Sequence, residues 1–293
     1  MCSGACCLRH PHACALLPPP PPSPLCSGAC CATHPQHCPG RLHPTGNASR
    51  VKKLFDSGRF WERRYARGGD SGAGSYGALA EYKAQFLNKF VAEKGLVSVI
   101  EFGCGDGNQL ALSLRAYRRY TGVDVSRTVL SRLQQKFRRE AHKVAFLHTS
   151  KYNASLHMAD LALSLDVIFH LVEDSVFELY MERLFSAARR FVVVFSSNED
   201  MRAHTHVRHR HFSSWVDRRR GKEAAARGQG NGDRLALGGD VGGTADTGLP
   251  FSWRLLHHEP HPMGCNPRTL GCGGTSTSSF ASFYVFARTA VVL

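Results

Sequence analysis

The sequence predicts an α/β protein: a doubly wound, seven-stranded, mostly parallel sheet closed by a C-terminal antiparallel hairpin. Three observations lead there. From about residue 51, short apolar runs alternate with segments whose apolar residues recur at helical spacing, the pattern of strands joined by crossover helices. The first run, LVSVIEF, is apolar almost throughout instead of alternating, as in a strand covered on both faces. The last two runs, FSWRLLHHEP and SFASFYVFAR, have no helix between them, which marks a hairpin at a sheet edge.

The elements follow in order. VKKLFDSGRFWERRY reads as a helix and ARGGDSGAGSYG as a glycine-serine loop. ALAEYKAQFLNKFVAEKG has apolar residues at helical spacing and ends on Gly95, suited to a C-cap. After LVSVIEF, the segment QLALSL opens a helix, YTGVDV is a second strand and TVLSRLQQKFRREA a basic helix, with Ser126 able to cap it. KVAFLH and ADLALSLDVI are the third and fourth strands, SVFELYMERLFSAA a helix and RFVVVFSS the fifth strand. Residues 218–249 lose the apolar periodicity and are rich in glycine and charge, so they read as a flexible insertion in a domain spanning 51–293.

Residues 1–50 differ in kind. CSGACCLRHPHAC recurs as CSGACCATHPQHC around a polyproline spacer, a duplication whose composition cannot build a core, so the segment reads as a disordered leader. Its Cys and His spacing matches no zinc module, and no metal site is assigned. It carries basic residues and no acid before Asp56, as organelle transit segments do; a disordered tail or a mistaken start are the alternatives. Of the 11 cysteines only Cys104, Cys265 and Cys272 lie beyond the leader. That distribution argues against a disulfide framework and for a reduced, intracellular protein. No window approaches ~18 uninterrupted apolar residues, so no transmembrane helix is expected. The net charge of +14 admits a nucleic-acid or acidic-membrane partner. The arginines are scattered and lack an aromatic-rich RNA-binding motif, so a merely basic surface is preferred to nucleic-acid binding.

The turn after the first strand carries the chemistry. Gly103, Gly105 and Gly107 let backbone approach a ligand closely, and a helix start just beyond offers unpaired N–H groups. A dinucleotide fingerprint, G-x-G-x-x-G, would need its third glycine one residue later, where Asn108 stands. Glu101, two residues before the first glycine, would repel a pyrophosphate but suits an ammonium group. The run Glu101-x-Gly103-Cys104-Gly105-Asp106-Gly107 therefore resembles motif I of the class I S-adenosylmethionine-dependent methyltransferases. Asp124, about twenty residues on and followed by Val125, is placed to accept both ribose hydroxyls. Cys104 reads as a small space-filler within the turn.

The resemblance extends further. ADLALSLDVIFHLVED looks like motif IV of the small, bacterial-type members, and FWERRYARGGDSGAGSYG resembles the segment that lies over their cofactor. It implies a Rossmann-like methyltransferase fold, S-adenosyl-L-methionine as cofactor and a methyltransferase activity. The family commonly has an acid after the third strand to contact adenine; FLHTSKYNAS has none, leaving Ser150 or backbone for that contact. Asp166 is expected to orient cofactor or substrate and His170 to deprotonate a hydroxyl or amine. His206, Arg208 and Arg210, in HTHVRHRHF, are expected to form a basic substrate-binding lip. The expected acceptor is thus small or glycan-like, and acidic. Two rivals remain: a nicotinamide-dependent oxidoreductase, disfavoured by Glu101 and Asn108, and a nucleic-acid-binding or structural protein with a degenerate methyltransferase fold.

Overall fold

A computed structural model describes residues 55–219, 251–261 and 280–290. The leader expected at 1–50 and the insertion from residue 220 onward lie outside the described residues.

The first described helix, α1 (Ser57–Ala66), begins behind Asp56, whose carboxylate accepts the Arg59 N–H at 2.7 Å. A single 3₁₀ turn, Ala73–Ser75, leads into α2 (Gly77–Glu93). Gly95 ends α2 with φ 58°, the left-handed C-cap its sequence indicates. Then come β1 (Ser98–Phe102), the short α3 (Asn108–Ser113), β2 (Arg119–Asp124), α4 (Arg127–Lys136), β3 (Val144–His148), β4 (Ala159–Leu165), α5 (Asp174–Ser186) and β5 (Ala188–Ser196). Ser126 caps α4 as expected, its hydroxyl accepting the Val129 N–H at 3.1 Å. The basic helix is shorter than its sequence pattern, breaking at Phe137 into a 3₁₀ turn, Arg138–Glu140.

Seven strands form one sheet in the order β3-β2-β1-β4-β5-β9-β8, where β8 is Phe251–Glu259 and β9 Ser282–Ala290. β1 to β5 pair in parallel; β9 pairs antiparallel with β5 and with β8. The closing hairpin is therefore present with its later strand on the inside. The basic segment after β5 is not a plain loop. It folds into a second, two-stranded sheet, β6 (Met201–His204) and β7 (Val207–His209), followed by a helical stretch over 213–219 that reaches into the expected insertion.

Every residue of β1 is buried because the sheet is covered on both faces. Val99, Leu161, Leu163 and Val193 face one cluster with Leu87, Leu110 and Leu133 of α2, α3 and α4. Ile100, Ala162, Val192 and Val194 face the other, with Phe177, Met181 and Phe185 of α5. Chain order reverses between β1 and β4, so the crevice for a ligand opens at their carboxyl ends.

Candidate active site

A cavity of about 420 Å³ occupies that crevice, within the range of small-molecule sites. Its floor is Glu101 to Asp106, Asp124 and Val125 at the end of β2, and Leu165 to Val167 at the end of β4. Trp61 and Tyr65 of α1, with Ser71 and Ser75 of the loop that follows, form its roof.

The glycine turn is shaped by what closes on it. Gly105 has φ 56°, and a Cβ there would lie 2.3 Å from Ser71 Oγ. A Cβ on Gly103, at φ 77°, would lie 2.5 Å from the Val167 side chain. No residue with a side chain fits either position without moving roof or floor. Asp124 is buried; its two oxygens accept the Gly105 N–H at 3.0 Å and the Ser126 N–H at 2.8 Å. Each oxygen keeps a lone pair, and burial lifts the carboxyl to about 6. Glu101 is also buried and accepts the Tyr120 hydroxyl at 2.6 Å; burial raises it to about 7. Gln109 of α3 lines the cavity too. Its amide donates to the Ala80 carbonyl at 3.2 Å, while its buried Oε1 has no hydrogen-bond partner among the described residues. Carboxylates and an orphaned acceptor fit a ligand bearing hydroxyls and an ammonium group, as S-adenosylmethionine does. Cys104 is buried against Gly122, and its thiol is pushed well up by burial, consistent with a filler.

Not every predicted cofactor residue serves the cavity. Asp106 borders it, but its carboxylate receives the Ser71 N–H and the Tyr76 hydroxyl, both at 2.8 Å. The Asn108 side chain donates to the Ser75 carbonyl at 2.6 Å instead of lining the cavity. Gly107 caps α3 in the left-handed conformation and faces Leu133 and Phe137. Gly107 thus shapes the turn, while Asp106 and Asn108 fasten the roof to it. Val125 lines the cavity. Beyond β3, the Ser150 hydroxyl is bonded to His148 Nδ1 at 2.8 Å, and the cavity is lined by Thr149.

Asp166 and His170 both reach the cavity. Asp166 is the one described non-glycine residue with positive φ, 57°. Its carboxylate is paired at 2.5 Å with the ammonium of Lys83, a fully buried lysine of α2. His170 lies edge-on to Trp61 at 5.0 Å, and its Nδ1 meets the His206 carbonyl at 3.1 Å. That acceptor makes Nδ1 the protonated nitrogen and leaves Nε2 with a lone pair. Burial lowers His170 to about 4, so the ring is neutral at physiological pH.

The basic lip is corrected. The His206 ring stacks on Phe60 at 4.8 Å, and its contribution near the cavity is the backbone carbonyl holding His170. Arg208 pairs with Asp174 at 3.0 Å and donates to the Val172 carbonyl. Arg210 is buried, pairs with Asp174 at 2.6 Å, donates to the Leu171 and Val172 carbonyls and lies over Phe177. Neither guanidinium lines the cavity. Together they bind the β6–β7 hairpin to the start of α5.

Residues 99–209 match the family model described as a methyltransferase domain. Over those residues the chain is similar to the class I S-adenosylmethionine-dependent methyltransferases. The match supports an S-adenosylmethionine-dependent enzyme, against the nicotinamide reading. Among solved structures, the chain is similar to the methyltransferase domain of bacterial CtHen1-C, with 20% identity, TM-score 0.44, covering 71% of this chain and 97% of that one. It is also similar to magnesium protoporphyrin IX methyltransferase of Synechocystis PCC 6803 with bound SAM, with 14% identity, TM-score 0.48, covering 82% and 100%. A third is the N-methyltransferase NodS from Bradyrhizobium japonicum WM9 in complex with S-adenosyl-L-homocysteine, with 12% identity, TM-score 0.46, covering 80% and 98%. No curated protein matches the chain by sequence. No helix among its described residues is long and apolar enough to cross a membrane.

Lys83 and Gln109 are the site residues that the sequence motifs do not single out. Lys83 did leave a signal. It falls in the stripe Leu79, Ala80, Lys83, Ala84, Leu87, which is buried throughout, and a lysine inside such a stripe needs a partner.

Proposed function

We propose that this cavity methylates a hydroxyl or amine of a small or glycan-like acceptor, with His170 as proton acceptor. The observation that carries the reading is His170 itself: a neutral imidazole at the cavity wall, its Nδ1–H engaged by the His206 carbonyl and its Nε2 lone pair left over. Glu101 and Gln109 would hold the cofactor's amino group, Asp124 its ribose, and Gly103 and Gly105 its close approach to backbone. Val125 and Thr149 would flank its base. When bound, S-adenosylmethionine supplies an electrophilic methyl group.

The protein's own part is positioning and proton removal. An acceptor hydroxyl becomes strongly acidic as its oxygen is alkylated, so even a base of low proton affinity such as His170 suffices for it, whereas an amine acceptor must arrive neutral and give its extra proton to solvent. The Lys83–Asp166 pair fixes the floor beside it. An acidic acceptor loses its support, because Arg208 and Arg210 are bound to Asp174. The decisive experiment incubates the enzyme and His170→Gln with labelled S-adenosylmethionine and pools of small hydroxyl and amine acceptors. Label transfer by the wild type alone supports the reading; equal transfer by both removes His170 from the chemistry.

One observation favours a second reading. Arg59 and Arg63 of α1 and Arg67 just beyond it recur at fourfold spacing, are exposed, and form no ion pair among the described residues, so a nucleic-acid acceptor would find cations beside the roof. Transfer to RNA that falls steeply with salt would select it.

A further inference from the structure

Lys83 is a fully buried lysine whose ammonium is bonded to Asp166, lies 5.4 Å from the centre of the Phe195 ring and borders the same cavity as Glu101. A buried ion pair rarely adds stability over apolar residues of the same size, since both charges lose their hydration. Its surroundings are nonetheless built around it. Asp166 is held in the left-handed region by its N–H on the Phe195 carbonyl at 2.9 Å and by Lys83. A Cβ on Gly74, in the roof loop, would lie 2.8 Å from the Asp166 carboxylate, so the roof leaves room for the pair.

The groups around Glu101 give the pair a use. Tyr120 of β2 donates to it, Asp124 of β2 opposes its charge, and the Lys83 ammonium of α2 attracts it. Tyr117 ahead of β2, Tyr180 of α5 and Cys104 of the glycine turn also feel the Glu101 charge, and all three stay neutral because burial raises them. Lys83 is thus the cation acting on the carboxylate among the described residues.

We infer that Lys83 is a positioning residue of the cofactor site: it anchors Asp166 at the end of β4 and sets its ammonium in the same cavity as Glu101, the carboxylate that receives the cofactor's amino group. This rests on the reading that Glu101 binds that group. Nothing in the glycine motif contains Lys83, which belongs to the helix before it.

Calorimetric titration of the full chain with S-adenosylhomocysteine, from about pH 5.5 to about pH 8.5, tests it. Wild-type affinity should fall as the pH drops through about 7. Lys83→Met should move that fall upward, leaving affinity about tenfold lower at neutral pH but within about twofold of wild type at the alkaline end. Lys83→Arg, which keeps the charge, should restore the wild-type profile. Equal weakening of Lys83→Met at every pH, or no change at all, overturns the proposal. If Lys83→Met does not fold, Lys83→Met/Asp166→Asn removes the stranded carboxylate and should show the same upward shift. Glu101→Gln separates the two claims: it should flatten the profile, and wild-type binding by that variant sinks the Glu101 reading itself.

Discussion

The Ser71 N–H donates to the Asp106 carboxylate at 2.8 Å, and the Ser71 hydroxyl in turn receives the Asp106 N–H at 2.9 Å. This reciprocal pair fastens the roof to the glycine turn, and Tyr76 and Asn108 add one bond each at 2.8 Å and 2.6 Å. Asp106→Ala removes both charge-assisted bonds to the roof, from Ser71 and Tyr76, and one from the Asn108 N–H within the turn, ~1–2 kcal/mol in all for a part-buried group. S-adenosylhomocysteine should then dissociate roughly 5- to 30-fold faster with little change in association rate, as stopped-flow fluorescence of Trp61 would read. A loss of affinity confined to association would count against a fastening role.

Glu101→Ala and Asp124→Ala should each weaken S-adenosylhomocysteine binding by ~1–3 kcal/mol in calorimetry, the cost of removing a charged partner from a buried site. Tight NADPH binding with no response to S-adenosylhomocysteine would contradict both.

The same carboxyls give the free protein an unusual pH dependence. Burial raises Glu101 to about 7 and Asp124 to about 6, so the folded state holds protons more tightly than the unfolded chain. Their contribution to stability is complete below the ordinary carboxylate range and is lost as the pH rises through those two values. The free protein should melt lower at pH 7.5 than at pH 5, roughly, with this window as the cause. S-adenosylhomocysteine, whose amino group favours the ionised Glu101, should raise the melting temperature more at the higher pH. A ligand-induced shift independent of pH would exclude this coupling.

His170 should titrate near 4 in NMR spectra, with Nδ1 protonated above that pH. His170→Gln should hold S-adenosylhomocysteine as tightly as the wild type while losing turnover, the pattern of a group needed only for the reaction. Weaker cofactor binding by that variant would make His170 a wall of the cavity instead of a base.

Arg210→Ala should destabilise the fold by ~2–4 kcal/mol in denaturant titration, because it strands buried carbonyls that Arg210 now satisfies. Arg208→Ala should cost under ~1 kcal/mol, since that side chain is 35% exposed. Neither change should alter cofactor affinity at temperatures where the protein is folded. A raised KM with unaltered stability would return both arginines to the substrate.

The sequence by itself determined the local and periodic features: five parallel strands with their helices, the caps at Gly95 and Ser126, and the pairing of Glu101 with a glycine turn and Asp124. Each follows from spacing within one stretch of chain, where burial on two faces or a left-handed φ dictates residue type. The roof segment was legible too, through its likeness to a known motif. What only the tertiary structure decided is how side chains distant in sequence share partners. Asp106 and Asn108 sit within the motif yet face the roof loop, over thirty residues earlier. Arg208 and Arg210 look like a free basic lip until the β6–β7 hairpin folds them onto Asp174. Lys83 has no meaning in its helix until β4 brings Asp166 to it. A charged side chain's role depends on the nearest opposite charge and on how much water is excluded around both, and neither quantity is local in sequence.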